Sequence, residues 1–315
     1  MIDDDEPPAA TVFQVVAEVW GVTGQAERLS GGEESAAYRL GDHVVRIGPA
    51  GHDPAEARWC HAVALFAARL LPEAVAPLPA PLPDPLSAPL ADRLADPLPV
   101  PAGTTLVQVA GHPVSVWPYA AGAPLDAEPS AAELVGGARL LARLHRALAD
   151  LRPPPRPRPA FQETGLYGEP PADAPELADP ELDRWLAAFH AAHPARHPLH
   201  GDYHTGNVLF RHGAPVAVLD WDEAFTGAPE VELAAAAAEW GEYEPGPAKE
   251  FVAAYHEAGG TAGELDDETL AQLVRHKIRR ECAYFHKAAG RGDAHDEDDL
   301  AYHHARLALF RDLRP

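Results

Sequence analysis

Two short polar segments, His200-Gly201-Asp202-Tyr203-His204-Thr205-Gly206-Asn207 and Asp220-Trp221-Asp222, flank a run that reads as strand, turn and strand. Val208 to Arg211, apolar up to its last residue, and the apolar Val216 to Leu219 read as strands, and Gly213 marks the turn between them. A hairpin returns the chain to the point it left, so the pattern brings Asp220 back beside Asp202 and Asn207. A simpler reading has Asp202 accepting backbone N–H groups within its own turn and Asp220 capping a helix. His, Gly, Asp and Asn at fixed offsets, followed by the hairpin and a second acidic segment, favour a functional site over that reading.

The chemistry that wants these side chains is phosphoryl transfer. It needs an acceptor for a hydroxyl proton and oxygen ligands for a magnesium ion. Asp202 meets the first need; Asn207 and Asp220 meet the second.

The rest of the chain changes character near Gly122. Before it, Thr11 to Trp20 reads as a short helix with Val12, Val15, Val16 and Val19 on one face. Ala37 to Leu40 and His43 to Ile47 read as strands around Gly41-Asp42, and Leu106 to Val109 and Val114 to Tyr119 as a second pair around Gly111-His112. Between the pairs lies a long helix from Asp53, with Asp53 as cap and Pro54 in the first turn. Residues 77–101, rich in Pro, Leu, Ala and Asp, read as an extended linker or surface loop. After Gly122 the pattern is mostly helical. Ser130-Ala131-Ala132-Glu133 is a capping box, Asp179-Pro180 opens another helix, and helices are expected over 232–240, 248–258, 268–289 and 298–313. The expectation is an α+β chain in two lobes: residues 1–121, an antiparallel sheet with one long helix, and residues 122–315, a larger and mostly helical lobe.

The 25 basic residues against 48 acidic ones give a formal net charge of −23. A basic nucleic-acid-binding surface is excluded by that balance, whereas a cationic small molecule is drawn by the same field. Cys60 and Cys282 form neither a disulfide framework nor a C-x-x-C metal spacing. His193/His197 and His200/His204 are four apart, but Pro194, Pro198, Gly201 and Gly206 deny the helix that would pair them on zinc. The acidic start has no signal-peptide pattern and no apolar run reaches membrane-spanning length, so a cytoplasmic chain without a membrane partner is expected.

From His200 to Asn207, with Asp220 following, the chain resembles the aminoglycoside phosphotransferase and choline kinase superfamily, whose fold is protein-kinase-like. The resemblance implies Asp202 as catalytic base, Asn207 and Asp220 as Mg²⁺ ligands, and ATP or GTP as co-substrate. It places Leu209 beneath the adenine and Glu232, in Glu230-Val231-Glu232-Leu233-Ala234, where an acidic residue braces the catalytic loop. His145, at the end of a helix similar to one in the family, is expected to be structural. In the first lobe it implies a phosphate loop around Gly31, Gly32 and Ser35, and Arg46 where a Lys usually holds the phosphates, with Glu56 as its partner. Trp117 and Tyr119 fall on the strand and hinge that meet the base. Because Pro118 has no N–H, the hinge donor is expected from Tyr119 or Ala120. Trp117 is equally read as core.

Three functions are compatible with this pattern. The first is phosphorylation of a polycationic aminoglycoside antibiotic, a resistance activity. Its ammonium groups would meet acids such as Asp222 and Glu281, or Asp293, Asp296, Asp298 and Asp299. The second is a metabolic kinase of choline, homoserine, a sugar or a similar hydroxyl compound. The third, left open by Arg46 and Pro118, is a nucleotide-binding pseudokinase, against which Asp202, Asn207 and Asp220 argue.

Overall fold

The computed structural model describes residues 9–29, 35–81, 103–125, 127–158, 174–291 and 297–314. By its internal contacts the chain forms two compact units, Met1–Ala121 and Gly122–Pro315.

The first unit is built on a five-stranded antiparallel sheet in the order β1-β2-β3-β5-β4. Its strands are β1 (Ala26–Arg28), β2 (Ala36–Leu40), β3 (His43–Ile47), β4 (Val107–Val109) and β5 (His112–Pro118). The three residues of β1 are too few to show an alternation, which is why the sequence does not announce it. Alternation along β3 and β5 gives the sheet two unlike faces. Val45, Ile47, Val114 and Val116 point into a core completed by Val12, Val15, Val16 and Val19 of helix α1 (Ala9–Trp20). Arg46, Ser115 and Trp117 point the other way, with Arg46 opposite Ser115 in the ladder. Helix α2 (Pro54–Ala68) begins as its sequence dictates. Asp53 accepts the Ala55 N–H at 2.9 Å, and Pro54 occupies a first-turn position where no N–H is needed.

The Pro-rich stretch is only partly the loose linker expected of it. Residues 82–102 lie outside the described residues, but the segment before them runs along the sheet. Leu78 donates its N–H to the Val116 carbonyl at 2.7 Å, and Ala80 to that of Thr104 at 2.7 Å. The Trp20 indole donates to the Leu78 carbonyl at 2.9 Å. Apolar Leu78 and Ala80 serve the core between prolines that only punctuate the segment.

The second unit is mostly helical. Helix α3 (Ala131–Leu148) starts on the expected capping box: Ser130 Oγ accepts from the Glu133 N–H, and the Glu133 carboxylate accepts the Ser130 N–H at 3.0 Å. Helix α4 (Pro180–Ala192) follows a short 3-10 turn, Pro175–Leu177. Its cap Asp179 accepts the N–H groups of Glu181 and Leu182 on one oxygen and ion-pairs with Arg275 and Arg314 on the other. Burial opposes that charge, but the Leu182 N–H and the two guanidinium groups outweigh it and hold the carboxyl at about 2. Two small sheets come next: β6 (His197–Leu199) with β9 (Phe225–Gly227), and the hairpin β7 (Val208–Arg211) with β8 (Ala214–Val218). Four helices close the unit: α5 (Pro229–Trp240), α6 (Pro245–Glu257), α7 (Asp267–Arg291) and α8 (Glu297–Asp312). Leu182, Leu186, Phe189, Val231, Leu273, Ile278 and Phe310 are among the large members of the core that α4, α5, α7 and α8 share. No helix among the described residues is long and apolar enough to cross a membrane.

One contact sets how closely α3 approaches the site. Gly137 lies against the six-membered ring of Trp240, and a Cβ there would overlap that ring. Glycine inside a helix is unfavourable by about 0.5–1 kcal/mol relative to alanine, so this position has a packing reason. The Gly137→Ala variant is therefore expected to lose about 2 kcal/mol of stability instead of gaining helix propensity. A urea melt reads the sign directly.

Candidate active site

The loop between β6 and β7 is fixed from beneath by Glu232 of α5. Its carboxylate, 97% buried, accepts the His145 Nε2–H at 2.7 Å, the His200 N–H at 3.2 Å and the Gly201 N–H. His145 is held in turn by the Tyr255 hydroxyl at 2.7 Å from Nδ1. Burial pushes the Glu232 carboxyl upward; the hydrogen bond and charge of His145, His200 and the Gly201 N–H reverse this and leave it below the ordinary value. Gly201, at φ +91°, carries no side chain because a Cβ would overlap the Glu223 carbonyl. That crowding is the physical content of the Gly in His-Gly-Asp.

A second set of bonds joins this loop to the far end of the hairpin. The Leu219 N–H donates to the Asn207 carbonyl at 2.9 Å, and the His200 ring donates from Nε2 to the Leu219 carbonyl at 2.7 Å. Asp220, the next residue, is thereby set beside Asn207. Its backbone is left-handed, at φ +58°, a conformation that Asp tolerates better than most side chains. The hairpin therefore does what its sequence promises.

Asp202 and Asn207 meet directly. The Asn207 amide donates from Nδ2 to the Asp202 carbonyl at 2.9 Å and to its Oδ2 at 2.9 Å. Both bonds use the amide nitrogen and leave the side-chain oxygen of Asn207 out of them. His204 Nε2 sits 3.3 Å from Asp202 Oδ2. Burial works against the charge on Asp202, but the hydrogen bond and positive field of His204 prevail and hold its carboxyl at about 2. In return, Asp202 lifts the His204 imidazole above its ordinary value against the downward effect of burial. Half of the Asp202 side-chain surface stays exposed, so the carboxylate is charged, oriented and reachable. Tyr203 faces inward, donating its hydroxyl to the Gly137 carbonyl at 2.8 Å and stacking on Trp240 at 5.7 Å.

Leu209 is buried on β7. Gly122 abuts it so closely that a Cβ would stand 3.0 Å from Leu209 Cβ, and Ala123 bridges to Phe210. Asp222 is half-buried, and its carbonyl accepts from Arg156 at 2.8 Å. Glu281 of α7 ion-pairs with Lys277. Asp299 is exposed on α8; Asp293 and Asp296 lie outside the described residues, as does the side chain of Asp298.

In the first unit Arg46 stands on the polar sheet face, its guanidinium 5.8 Å from the Trp117 ring centre. Trp117 is 95% buried, donates its indole N–H to Ser115 at 2.8 Å and meets His61 edge-on at 5.2 Å. Its polar atom is committed within the unit, which favours the core reading of this residue. Glu56, on α2, has its carboxylate 3.7 Å from the His52 ring. The Tyr119 N–H is also committed, donated to the Asp42 carbonyl at 2.8 Å as the ladder runs on past β5. Of the two hinge donors expected, Tyr119 is thus already engaged, and its ring lies over Arg39 at 3.8 Å. Ser35 is half-buried just before β2; Gly31 and Gly32 lie outside the described residues.

Two groups near Asp202 escape the sequence reading. Glu239 lies seven residues after Glu232, on the same face of α5, and precedes the Trp240 that stacks on Tyr203. Lys277, one of only three lysines in the chain, reaches it from α7 with Nζ 2.5 Å from Oε1. The heptad spacing of the two glutamates was the available signal.

The geometry has counterparts. A family model described as the phosphotransferase enzyme family matches residues 25–266. Among solved structures, an amicoumacin kinase in complex with AMP-PNP, Ca²⁺ and its ligand is 15% identical, covering 100% of this chain and 96% of that one at a TM-score of 0.69. A microcompartment-associated aminopropanol kinase is 17% identical, with coverage of 96% and 95% and a TM-score of 0.64. A choline/ethanolamine kinase family protein from Mesorhizobium loti is 18% identical, with coverage of 97% and 94% and a TM-score of 0.60. These likenesses establish the kinase-like α+β fold. No curated protein matches the chain in sequence.

Glu232→Gln puts an amide NH₂ among N–H donors, and it is expected to lower stability by about 3 kcal/mol at neutral pH. The native carboxyl titrates below its ordinary 4.5, so its contribution is complete above that value and is lost as pH falls through the folded pKa. Denaturant midpoints should thus differ most above pH 4.5 and converge in more acidic buffer.

Proposed function

The chain belongs to the phosphotransferase enzyme family, and from that premise we propose that it moves the γ-phosphoryl group of ATP onto a hydroxyl of a small amine-bearing molecule. The observation that carries the proposal is the Asp202 carboxylate: ionised, half exposed, and bonded to the amide of Asn207 while Leu219 ties Asn207 to the end of the hairpin. Asp202 orients the acceptor hydroxyl and takes its proton. At about 2 its carboxyl is a weak base, so orientation is its larger contribution until the proton is already leaving.

Asn207 Oδ1 and the Asp220 carboxylate would hold a magnesium ion. Two protein oxygens suit an ion that fills its remaining positions with phosphate and water. When bound, the ion neutralises charge on the phosphates. Arg46 is assigned to the phosphates, which it can grip in bidentate fashion, with Glu56 as its partner. Leu209 and the backbone near Ala120 are assigned to the adenine. This makes residues 1–121 the nucleotide-binding unit and residues 122–315 the catalytic and acceptor unit.

The relatives in fold include kinases of aminopropanol and of amicoumacin, and a choline/ethanolamine kinase family protein. Both aminoglycoside-type antibiotics and small amino alcohols satisfy the proposed class. The same site with GTP in place of ATP is the alternative for the donor.

Asp202→Ala should lower kcat by about 10²–10⁴-fold in a coupled ADP-release assay and leave nucleotide affinity by calorimetry nearly unchanged. Asp220→Ala should weaken magnesium-nucleotide binding as well as turnover. Full activity in the Asp202 variant would rule out its assigned role.

A further inference from the structure

The net charge of −23 invites a polycationic acceptor, but part of the acidic charge of the helical unit is already paired with a buried lysine. Lys277 Nζ is paired with Glu239 at 2.5 Å and with Glu281, and it donates to the Tyr243 hydroxyl at 3.1 Å. Only 12% of its side-chain surface is accessible. Tyr243 donates its own hydroxyl to Glu239. Arg306 lies over the Tyr243 ring at 3.6 Å.

This wall is tied to the neighbourhood of the catalytic loop through α5. Glu239 shares a helix face with Glu232, which holds that loop. Its neighbour Trp240 stacks on Tyr203 of the loop. The positive charge of Lys277 adds to that of His204 in holding the Asp202 carboxyl low. Glu242 and Tyr243 adopt left-handed backbone at φ +50° and +60°, and conformations of that kind persist only where the surroundings enforce them.

We infer that Lys277 is a specificity-determining residue: by offsetting one of the two negative charges of Glu239 and Glu281, it leaves a single uncompensated carboxylate charge and so restricts the acceptor to molecules carrying at most one net positive charge. The acceptor is then an amino alcohol or a zwitterionic hydroxy acid, and polycationic aminoglycosides are disfavoured. This inference rests on the phosphotransfer reading above and narrows its substrate class. A buried lysine already committed to two carboxylates cannot be displaced cheaply by an incoming ammonium, because it would be left unpaired away from water. The positive charges of Arg306 and His204 act in the same sense against a second ammonium. Burial lowers the proton affinity of Lys277, and the paired Glu239 works against that lowering.

The test uses the full chain with magnesium and ATP and three acceptors: a singly charged amino alcohol, a zwitterionic hydroxy amino acid and an aminoglycoside. The wild type should show a kcat/KM for the aminoglycoside at least about tenfold below the better of the other two. Lys277→Met should raise the aminoglycoside value about tenfold, mostly through KM, and Lys277→Arg should keep the wild-type order. Glu239→Gln, which leaves Lys277 less compensated, should move the preference the opposite way; it carries the test if Lys277→Met does not fold. A wild-type preference for the aminoglycoside overturns the inference. So does an equal loss for all three acceptors in Lys277→Met or, where that variant does not fold, in Glu239→Gln. Nucleotide binding without turnover of any acceptor overturns the phosphotransfer reading, and this inference with it.

Discussion

The catalytic loop hangs from one buried carboxylate. Glu232 accepts two consecutive backbone N–H groups, from His200 and Gly201, together with the imidazole N–H of His145. A carboxylate without such partners would be too costly to bury, and N–H groups without an acceptor would leave the loop free to reorient. Each side of the contact makes the other tenable. The Leu219 peptide then carries the constraint from the loop to the hairpin end, through Asn207 on one side and His200 on the other. Asp202 and Asn207 are consequently positioned by backbone geometry together with the bond between their side chains, and Asp220 follows directly on the tied Leu219 peptide. A phosphotransfer site needs that kind of rigidity, since its contribution to rate is mainly placement and electrostatics.

Much of this was legible in the chain because it follows from local rules. The hairpin between Asn207 and Asp220, the capping box at Ser130, the Asp53 and Asp179 caps and the two-faced strand β5 all obey short-range periodicity or turn chemistry. Glu232 as brace was implied by the family resemblance, from its place in Glu230-Val231-Glu232-Leu233-Ala234. What escaped depends on tertiary approach. The Tyr119 N–H was a candidate hinge donor until the ladder bond to Asp42 claimed it. Leu78 and Ala80, hidden among prolines, turned out to pack along the sheet. Strands β1, β6 and β9 are three residues each, below the length at which alternation speaks. Lys277 and Glu239 lie 38 residues apart, and nothing in either sequence neighbourhood announces their pairing.

The two charge scales of the molecule serve separate purposes. Bulk acidity concerns solubility and the approach of cations from a distance, and salt screens it beyond about 10 Å. Selection at the reacting hydroxyl is decided by the few charges packed around Asp202, where His204 and Lys277 face Asp202, Glu239 and Glu281. On the proposal above, an acceptor is gathered by one field and judged by another.

The central claim is that this loop delivers a phosphoryl group to a carbon-bound hydroxyl. It is tested most directly by incubating the protein with ATP isotopically labelled in its γ-phosphoryl group and a mixture of amino alcohols, then following the label by mass spectrometry. The account predicts that the label appears on an acceptor hydroxyl in step with ADP. Label found only in inorganic phosphate, or remaining wholly in ATP, would contradict it.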